Sequence, residues 1–491
     1  MIRQVIKRLA ASSAIYGLGG TLQKLLGVVL VPIYTRYLSP EEYGVLALLL
    51  VTGGVAAILL QTGMGSALFR EILYEGTEPT AVESTALYYV GVQGVLLAGV
   101  LLLLAPAISV LIFGTASHAP LLRLVFLTVA FQLTEVLALA RCRTRDQPGL
   151  YVTLSILRFC VGAALTILFV VGLKRGVAGV VTATLLTSAG FSLVYLTLLR
   201  RALRPRVSRQ ILRRLLTYGG PLVLASLASF VMTSSDRYFL QRFATTAEVG
   251  IYSLGYSIGQ VMQLPVQAVQ LAWPAEMYAI ARREDGSRLL ARTVTYYVVV
   301  MGCAGLGVAV LAREALVLLA TPRFYGAHRI VPFVVVSSIL QGLWFMTSSG
   351  TDVRNKTAYN IPIISVAAGA NLALNWALIP RFGMMGAATT TVLTYAVLLA
   401  INVPVNIRLW HVPYEYSRLF KMGVVWVAVY LSSTLIGTGA AWLDAALKIL
   451  LLGLYPVLLY ATRFFDDRER HAMRSLFRDG WERTRAALGR P

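Results

Sequence analysis

The chain has 491 residues, 57% hydrophobic and 13% charged, with a mean hydropathy of +0.71. Soluble domains carry about 25% charge, so an assembly of two or three soluble domains is excluded for want of a segment polar enough to be one. The net charge of +22 would suit nucleic acid if it lay on one face, but it is gathered between apolar stretches. The three cysteines (Cys142, Cys160, Cys303) and four histidines are scattered, which offers neither a disulfide framework nor metal-ligand spacing. No metal and no cofactor is expected.

A helix that crosses a membrane needs roughly 20 mostly apolar residues. Fourteen such spans are predicted, at 10–34, 43–62, 84–113, 120–140, 150–173, 176–199, 217–240, 249–272, 291–312, 329–349, 359–379, 384–406, 420–440 and 443–463. Their apolar runs are continuous rather than alternating, which favours helices over a barrel. The start, with Arg3, Lys7 and Arg8, resembles the basic region of a signal peptide. The apolar stretch behind it is too long for one, so an uncleaved first helix is expected.

In the first span Lys24 sits near mid-depth, with Gly20, Thr21, Gly27 and Val28 at helical spacing. A charge there costs about 3 kcal/mol. It snorkels to an interface or finds an acid on another helix, or it faces a watery cavity with an anionic ligand. Glu135, in the fourth span, is expected to pair with the basic cluster at Arg141 and Arg143, or to carry a coupling proton. Arg158, in the fifth, reaches either the inner surface or a cavity. The stretch 200–214 holds seven arginines and no acid, and residues 201–214 are read as a cytoplasmic linker.

Asp236 and Arg237 lie near the outer end of the seventh span. Adjacent residues on one helix do not face each other, so the arginine is expected to line a cavity or both to anchor the outer end. Asn371 and Asn375 share a face of the eleventh span, as hydrogen-bonding glue between helices or as donors to sugar hydroxyls. The tail 466–491 spaces Met473, Phe477 and Trp481 among arginines, the pattern of an interfacial amphipathic helix. With both termini inside, the inner connections hold most of the 44 Lys and Arg. The surplus is an orientation signal and a contact for anionic membrane lipid, not for nucleic acid.

The second half of the chain repeats the first. Arg36, Glu42 and Gly44 return as Arg242, Glu248 and Gly250, each 206 positions on, while Gly176 and Gly179 return as Gly383 and Gly386, 207 on. Small residues permit close helix packing, and the two arginines are expected to anchor loops and satisfy helix-end carbonyls. Duplicated apolar bundles are the usual build of secondary transporters. The expected architecture is all-α and polytopic. Six-helix lobes at 1–200 and 215–406 are related by an axis along the membrane normal, and spans 13 and 14 (407–465) lie outside the duplication. The outer loops are too short for a catalytic domain and no catalytic or phosphate-loop motif occurs, so an enzyme is not expected.

Three stretches resemble the polysaccharide-transporter family of the exporter superfamily that also holds multidrug extruders and the lipid II flippase. They are Pro32-Ile33-Tyr34-Thr35-Arg36-Tyr37-Leu38-Ser39-Pro40-Glu41-Glu42-Tyr43-Gly44, Thr62 to Arg70, and Asn371 to Ala388 with its Ile379-Pro380-Arg381-Phe382-Gly383 core. The resemblance implies a flippase that carries a polyprenyl-pyrophosphate-linked oligosaccharide outward across the inner membrane, with other polysaccharide-assembly membrane proteins as candidate partners. The alternatives are a cation-coupled small-molecule antiporter of the same superfamily and a lipid II flippase. Multidrug extruders commonly place an acid in the first span, where this chain has only Lys24.

Overall fold

The computed structural model describes residues 29–466 and Glu469, which are helical and carry no strand. Lys24, most of the first predicted span and the tail beyond Glu469 lie outside the described residues. In chain order the helices are α1 (Val31–Tyr37), α2 (Pro40–Gln61), α3 (Met64–Leu73), α4 (Pro79–Phe113), α5 (Ala119–Thr144) and α6 (Pro148–Ile167). There follow α7 (Gly176–Leu198), α8 (Arg209–Ser234), α9 (Asp236–Phe243), α10 (Thr246–Gly259), α11 (Gln263–Ala281) and α12 (Gly286–Val310). The last are α13 (Ala312–Leu319), α14 (Val331–Thr347), α15 (Ser349–Val353), α16 (Asn360–Leu409), α17 (Tyr416–Thr434) and α18 (Ala441–Ala461).

Ten helices among the described residues are long and apolar enough to cross a membrane, so the protein is a multi-pass membrane protein. The count omits most of the first predicted span, which lies outside the described residues, and differs further from fourteen for local reasons. Two predicted spans merge into α16, a 50-residue helix with one non-helical residue, Gly383, at φ 51° and ψ −132°. Asn371 Nδ2 donates to Thr394 Oγ1 across that break at 2.9 Å, whereas a straight helix would hold residues so spaced roughly 34 Å apart. The chain therefore folds back at Gly383, and α16 is a hairpin. The predicted 249–272 span is interrupted by a 3-10 turn at Gln260–Met262. At the far end of α2, Thr62 and Gly63 both take left-handed conformations (φ 44° and 67°), and α3 continues beyond.

The repeated motifs explain one another. Ser39 Oγ accepts from Glu42 N–H at 3.1 Å and Glu42 Oε2 accepts from Ser39 N–H at 2.9 Å, a capping box that starts α2. Thr245 caps α10 in the same place, accepting from Glu248 N–H at 3.2 Å. Each glutamate lies against the glycine of the second motif: a Cβ on Gly176 would stand 3.1 Å from Glu42 Oε1, and one on Gly383 would stand 2.8 Å from Glu248 Oε2. Both glycines have left-handed φ, 53° and 51°, which only glycine adopts without cost.

The helices α2 and α10 then cross at Gly44 and Gly250. A Cβ on Gly44 would overlap the Thr246 carbonyl oxygen, and one on Gly250 would overlap that of Pro40. The two contacts are related by the same 206-residue shift (40 to 246, 44 to 250), so the crossing is reciprocal, as at a two-fold axis.

At the opposite end of the first half, Glu83 of α4 is 1% exposed and accepts from Arg141 at 3.0 Å and Arg145 at 3.1 Å. Removing one partner of a buried ion pair costs about 3–5 kcal/mol. Glu83→Ala is therefore expected to lower the thermal midpoint of purified protein by several degrees, and Glu83→Gln by less. The linker is tied to the same helix. Ser84 Oγ donates to Arg204 O and accepts from Arg206 N–H, both at 3.0 Å. Thr85 Oγ1 donates to Arg206 O at 3.3 Å and accepts from Ser208 N–H at 3.1 Å, and Tyr88 donates to Leu203 O at 2.7 Å.

Candidate functional site

A chamber opens between the two halves, beyond the Gly44–Gly250 crossing. Its larger part, about 330 Å³, is walled by Tyr34, Tyr43, Ala47 and Val51 of the first half and by Thr233, Arg237 and Tyr256 of the second. A polar annex of about 190 Å³ shares Thr233, Tyr256 and Gln260 with it and adds Gln263, Gln267, Gln341 and Tyr395. Gln263 bridges to Ser338 at 3.2 Å and to Gln341 at 2.6 Å. The three glutamines at 260, 263 and 267 are three and four residues apart, which sets them on one helix face. Sequence reasoning passed them over, although glutamines at helical spacing inside an apolar span are the signal that could have found them.

Arg237 is the one charged residue lining the chamber among the described residues. Adjacency on a helix does not by itself make an ion pair, yet the two residues pair here. Helix α8 ends at Ser234 and Asp236 opens α9; within the first turn of α9, Arg237 Nη1 folds back to Asp236 Oδ1 at 3.0 Å. The same nitrogen donates to Thr233 O at 3.1 Å, and Tyr252 donates its hydroxyl proton to Asp236. The guanidinium lies 4.4 Å from the Tyr256 ring centroid and 5.5 Å from that of Tyr252. Both charged residues are over 90% buried. Stacking and pairing are what retain a guanidinium at this depth.

Glu135 and Arg158 are brought together instead of being spread between a basic cluster and a cavity. Arg158 Nη2 stands 3.2 Å from Glu135 Oε2 and 3.3 Å from Ser188 Oγ, inside the first half between α5, α6 and α7. The expected partner Arg141 is six residues from Glu135, about 9 Å along the helix, and is taken by Glu83. Arg143 lies over the Phe69 ring at 5.9 Å. Neither Glu135 nor Arg158 lines the chamber.

Asn371 and Asn375, at most 1% exposed, build a buried knot at the break between α8 and α9. Ser235 Oγ donates to Asn371 Oδ1 at 3.0 Å, and Asn375 Nδ2 donates to Ser235 Oγ at 3.1 Å and to Asn371 Oδ1 at 3.0 Å. A second asparagine pair not singled out from sequence, Asn402 and Asn406, sits 31 positions on. Asn402 Nδ2 donates to Thr347 Oγ1 at 3.1 Å, and Asn406 Oδ1 accepts from Thr351 N–H at 2.8 Å. Lys448, also overlooked, pairs with Glu314 at 2.6 Å and is buried.

Arg36 and Arg242 are exposed in the last turns of α1 and α9. They meet the negative ends of those helices there, but neither bonds a helix-end carbonyl through its side chain among the described residues. Gly179 and Gly386 face carbonyls: a Cβ would stand 3.0 Å from Phe169 O and 2.5 Å from Leu378 O. They seat the starts of α7 and of the second arm of α16 on the chain just before them.

Comparison with known proteins agrees with this geometry. The chain is 21% identical over 210 residues to a probable low-salt glycan biosynthesis flippase of Haloferax volcanii, a match covering 42% of this chain and only 44% of that relative. In fold it is similar to the lipid II flippase MurJ in an inward closed conformation (TM-score 0.65, 13% identity, 91% of this chain and 99% of that one). It is also similar to an inward-facing multidrug resistance MATE family transporter of the MOP superfamily (TM-score 0.62, 17% identity, 79% and 94%). A family model described as polysaccharide biosynthesis protein matches residues 9–272, more than half of the sequence. The chain belongs to that family and has the fold of MOP-superfamily exporters.

Proposed function

We propose that the chain is a flippase that carries a polyprenyl-pyrophosphate-linked oligosaccharide from the inner to the outer leaflet of the cell membrane for cell-surface polysaccharide assembly. It works by alternating access of two lobes, 1–200 and 215–406, with both termini cytoplasmic. The observation that carries the reading is the chamber at the seam of the repeats, with one arginine and a wall of amides, hydroxyls and tyrosines. Glutamine both donates and accepts, as sugar hydroxyls require, and a guanidinium suits phosphate oxygens. An antiporter of cationic drugs would turn a carboxylate to its cargo, and no Asp or Glu lines this chamber among the described residues. The name of the Haloferax relative, a probable glycan biosynthesis flippase, supports the same substrate class.

Lys24 is proposed as a second cation for the pyrophosphate. Lys24→Ala is expected to abolish surface display of the glycan while the protein still inserts, and Lys24→Arg to be milder because the charge stays; full activity in Lys24→Ala removes the residue from the mechanism. Nothing in the sequence binds ATP, so flipping runs on an ion gradient, the membrane potential or removal of product, with Glu135 the proposed proton carrier. An inside-negative potential favours outward movement of the pyrophosphate by about 2.3 kcal/mol per charge per 100 mV. Purified protein in nucleotide-free liposomes, under an imposed potential, is expected to move a labelled polyprenyl-pyrophosphate sugar between leaflets. Transport that starts only on addition of ATP would overturn the reading.

A further inference from the structure

A second cavity, about 670 Å³, meets α9 at the face next to the one that Arg237 turns to the chamber. Its walls are Val55 and Leu59 of α2, Leu101 and Ile108 of α4, and Phe126 of α5, and α9 closes it with Tyr238, Gln241 and Arg242. No acid lines it. Val110 and Leu111 stand 51% and 84% exposed at its mouth, so it opens sideways, on the lipid-facing flank of α4. Two polar features break this apolar lining. Gln241 Oε1 is buried with no hydrogen-bond partner among the described residues, and Arg242 ends α9 exposed. An orphaned buried acceptor is costly and calls for a donor from outside.

We propose that this side pocket binds the lipid carrier of the transported glycan, separately from the chamber, as the station reached after Arg237. The hydrocarbon chain fills the pocket, the pyrophosphate meets Arg242, and a sugar hydroxyl donates to Gln241. The assignment rests on the lipid-linked reading of the substrate and adds the place where the lipid sits. Size supports one chain: an apolar cavity of about 150 Å³ takes a benzene, so this one has room for a single chain of on the order of twenty-five carbons, not for the two chains of a diacyl phospholipid. Position supports a sequence of two stations. Arg237 on α9 lines the chamber while Arg242, five residues on, lines the pocket. The partition between them is closed by a hydrogen bond between Thr52 and Tyr238, 3.0 Å across the two halves.

The test is binding of geranylgeranyl diphosphate, a single-chain prenyl pyrophosphate, to the purified full chain in nanodiscs, with a benzophenone-bearing analogue to map the contact. Crosslinks are expected in the peptides around Leu101 to Phe113 and around Tyr238 to Arg242. Leu101→Trp, which fills the pocket, is expected to weaken binding at least tenfold. Arg242→Gln is expected to weaken the diphosphate about tenfold but leave the uncharged alcohol geranylgeraniol unchanged. Each variant is checked for an unaltered thermal midpoint, and Val55→Trp replaces Leu101→Trp if that one does not fold. Undiminished diphosphate binding in the filled variant, crosslinks confined to the chamber, or equal competition by phosphatidylglycerol would each overturn the proposal. Leu101→Trp is expected to abolish the crosslinks around Leu101 to Phe113 and Tyr238 to Arg242 without removing any in the chamber, so the pocket and the chamber fail or stand separately.

Discussion

Replacing both Asp236 and Arg237 by neutral residues (Asp236→Asn with Arg237→Gln) is expected to leave a folded protein whose transport of a lipid-linked sugar falls at least about a hundredfold. The pair is buried, and removing both charges of a buried ion pair together is often neutral in stability, whereas removing one costs about 3–5 kcal/mol. Arg237→Ala alone should therefore lower both the thermal midpoint and transport, since Asp236 keeps Tyr252 but loses its cation. Arg237→Lys keeps the charge and loses the planar fork that matches phosphate, and an intermediate rate is expected. Comparing the double variant with Arg237→Ala separates a stabilising arginine from one that meets substrate. Wild-type transport by a folded double variant would remove Arg237 from the substrate path.

The second large effect is expected at the crossing of α2 and α10. Gly44→Ala and Gly250→Ala each drive a Cβ into a main-chain oxygen, of Thr246 or Pro40, and a backbone cannot swing aside as a side chain can. Overpacking commonly costs about 1–3 kcal/mol, and the upper end or beyond is expected here, read as loss of monodisperse protein in detergent. Because the contacts are reciprocal the two variants should fall together. Gly99→Ala is the control, with nothing within 4 Å of its Cβ and a helix-interior gain of about 0.5–1 kcal/mol to be had from replacing glycine. If Gly44→Ala behaves like Gly99→Ala, the crossing is looser than described.

Much of this was legible in the sequence because it is periodic or duplicated. Apolar runs located the spans, and the shift from Gly44 to Gly250 announced a relation that the structure displays as a physical contact. The capping box at Ser39 and Glu42 could be read from residue type and spacing alone. What escaped depends on breaks and on partners from distant segments. Asp236 and Arg237 are neighbours at the start of α9, and nothing in the local sequence announces that the arginine side chain turns back to the carboxylate and to Thr233 O. Arg158 found Glu135 on another helix, and no local pattern encodes that. The turn at Gln260–Met262 carries no proline, so the eighth span read as continuous. The glutamine face of the chamber was visible in principle at 260, 263 and 267, but charges within apolar spans drew the reading toward Lys24 and Arg158.

The linker between the halves is held by its main chain. The hydroxyls of Ser84 and Thr85 bond carbonyls and amides of Arg204, Arg206 and Ser208, while the side chains of Arg200, Arg201, Arg204, Arg206 and Arg209 are exposed, Arg206 standing 3.9 Å from Glu78. Any non-proline residue offers the same amide and carbonyl. The path of this strap is thereby written largely in two residues of another helix, and its exposed arginines such as Arg200, Arg201 and Arg204 are freer to vary than the buried Ala202 or the helix-capping Ser208. Substitution can retune the charge of this strap one arginine at a time without moving its main chain.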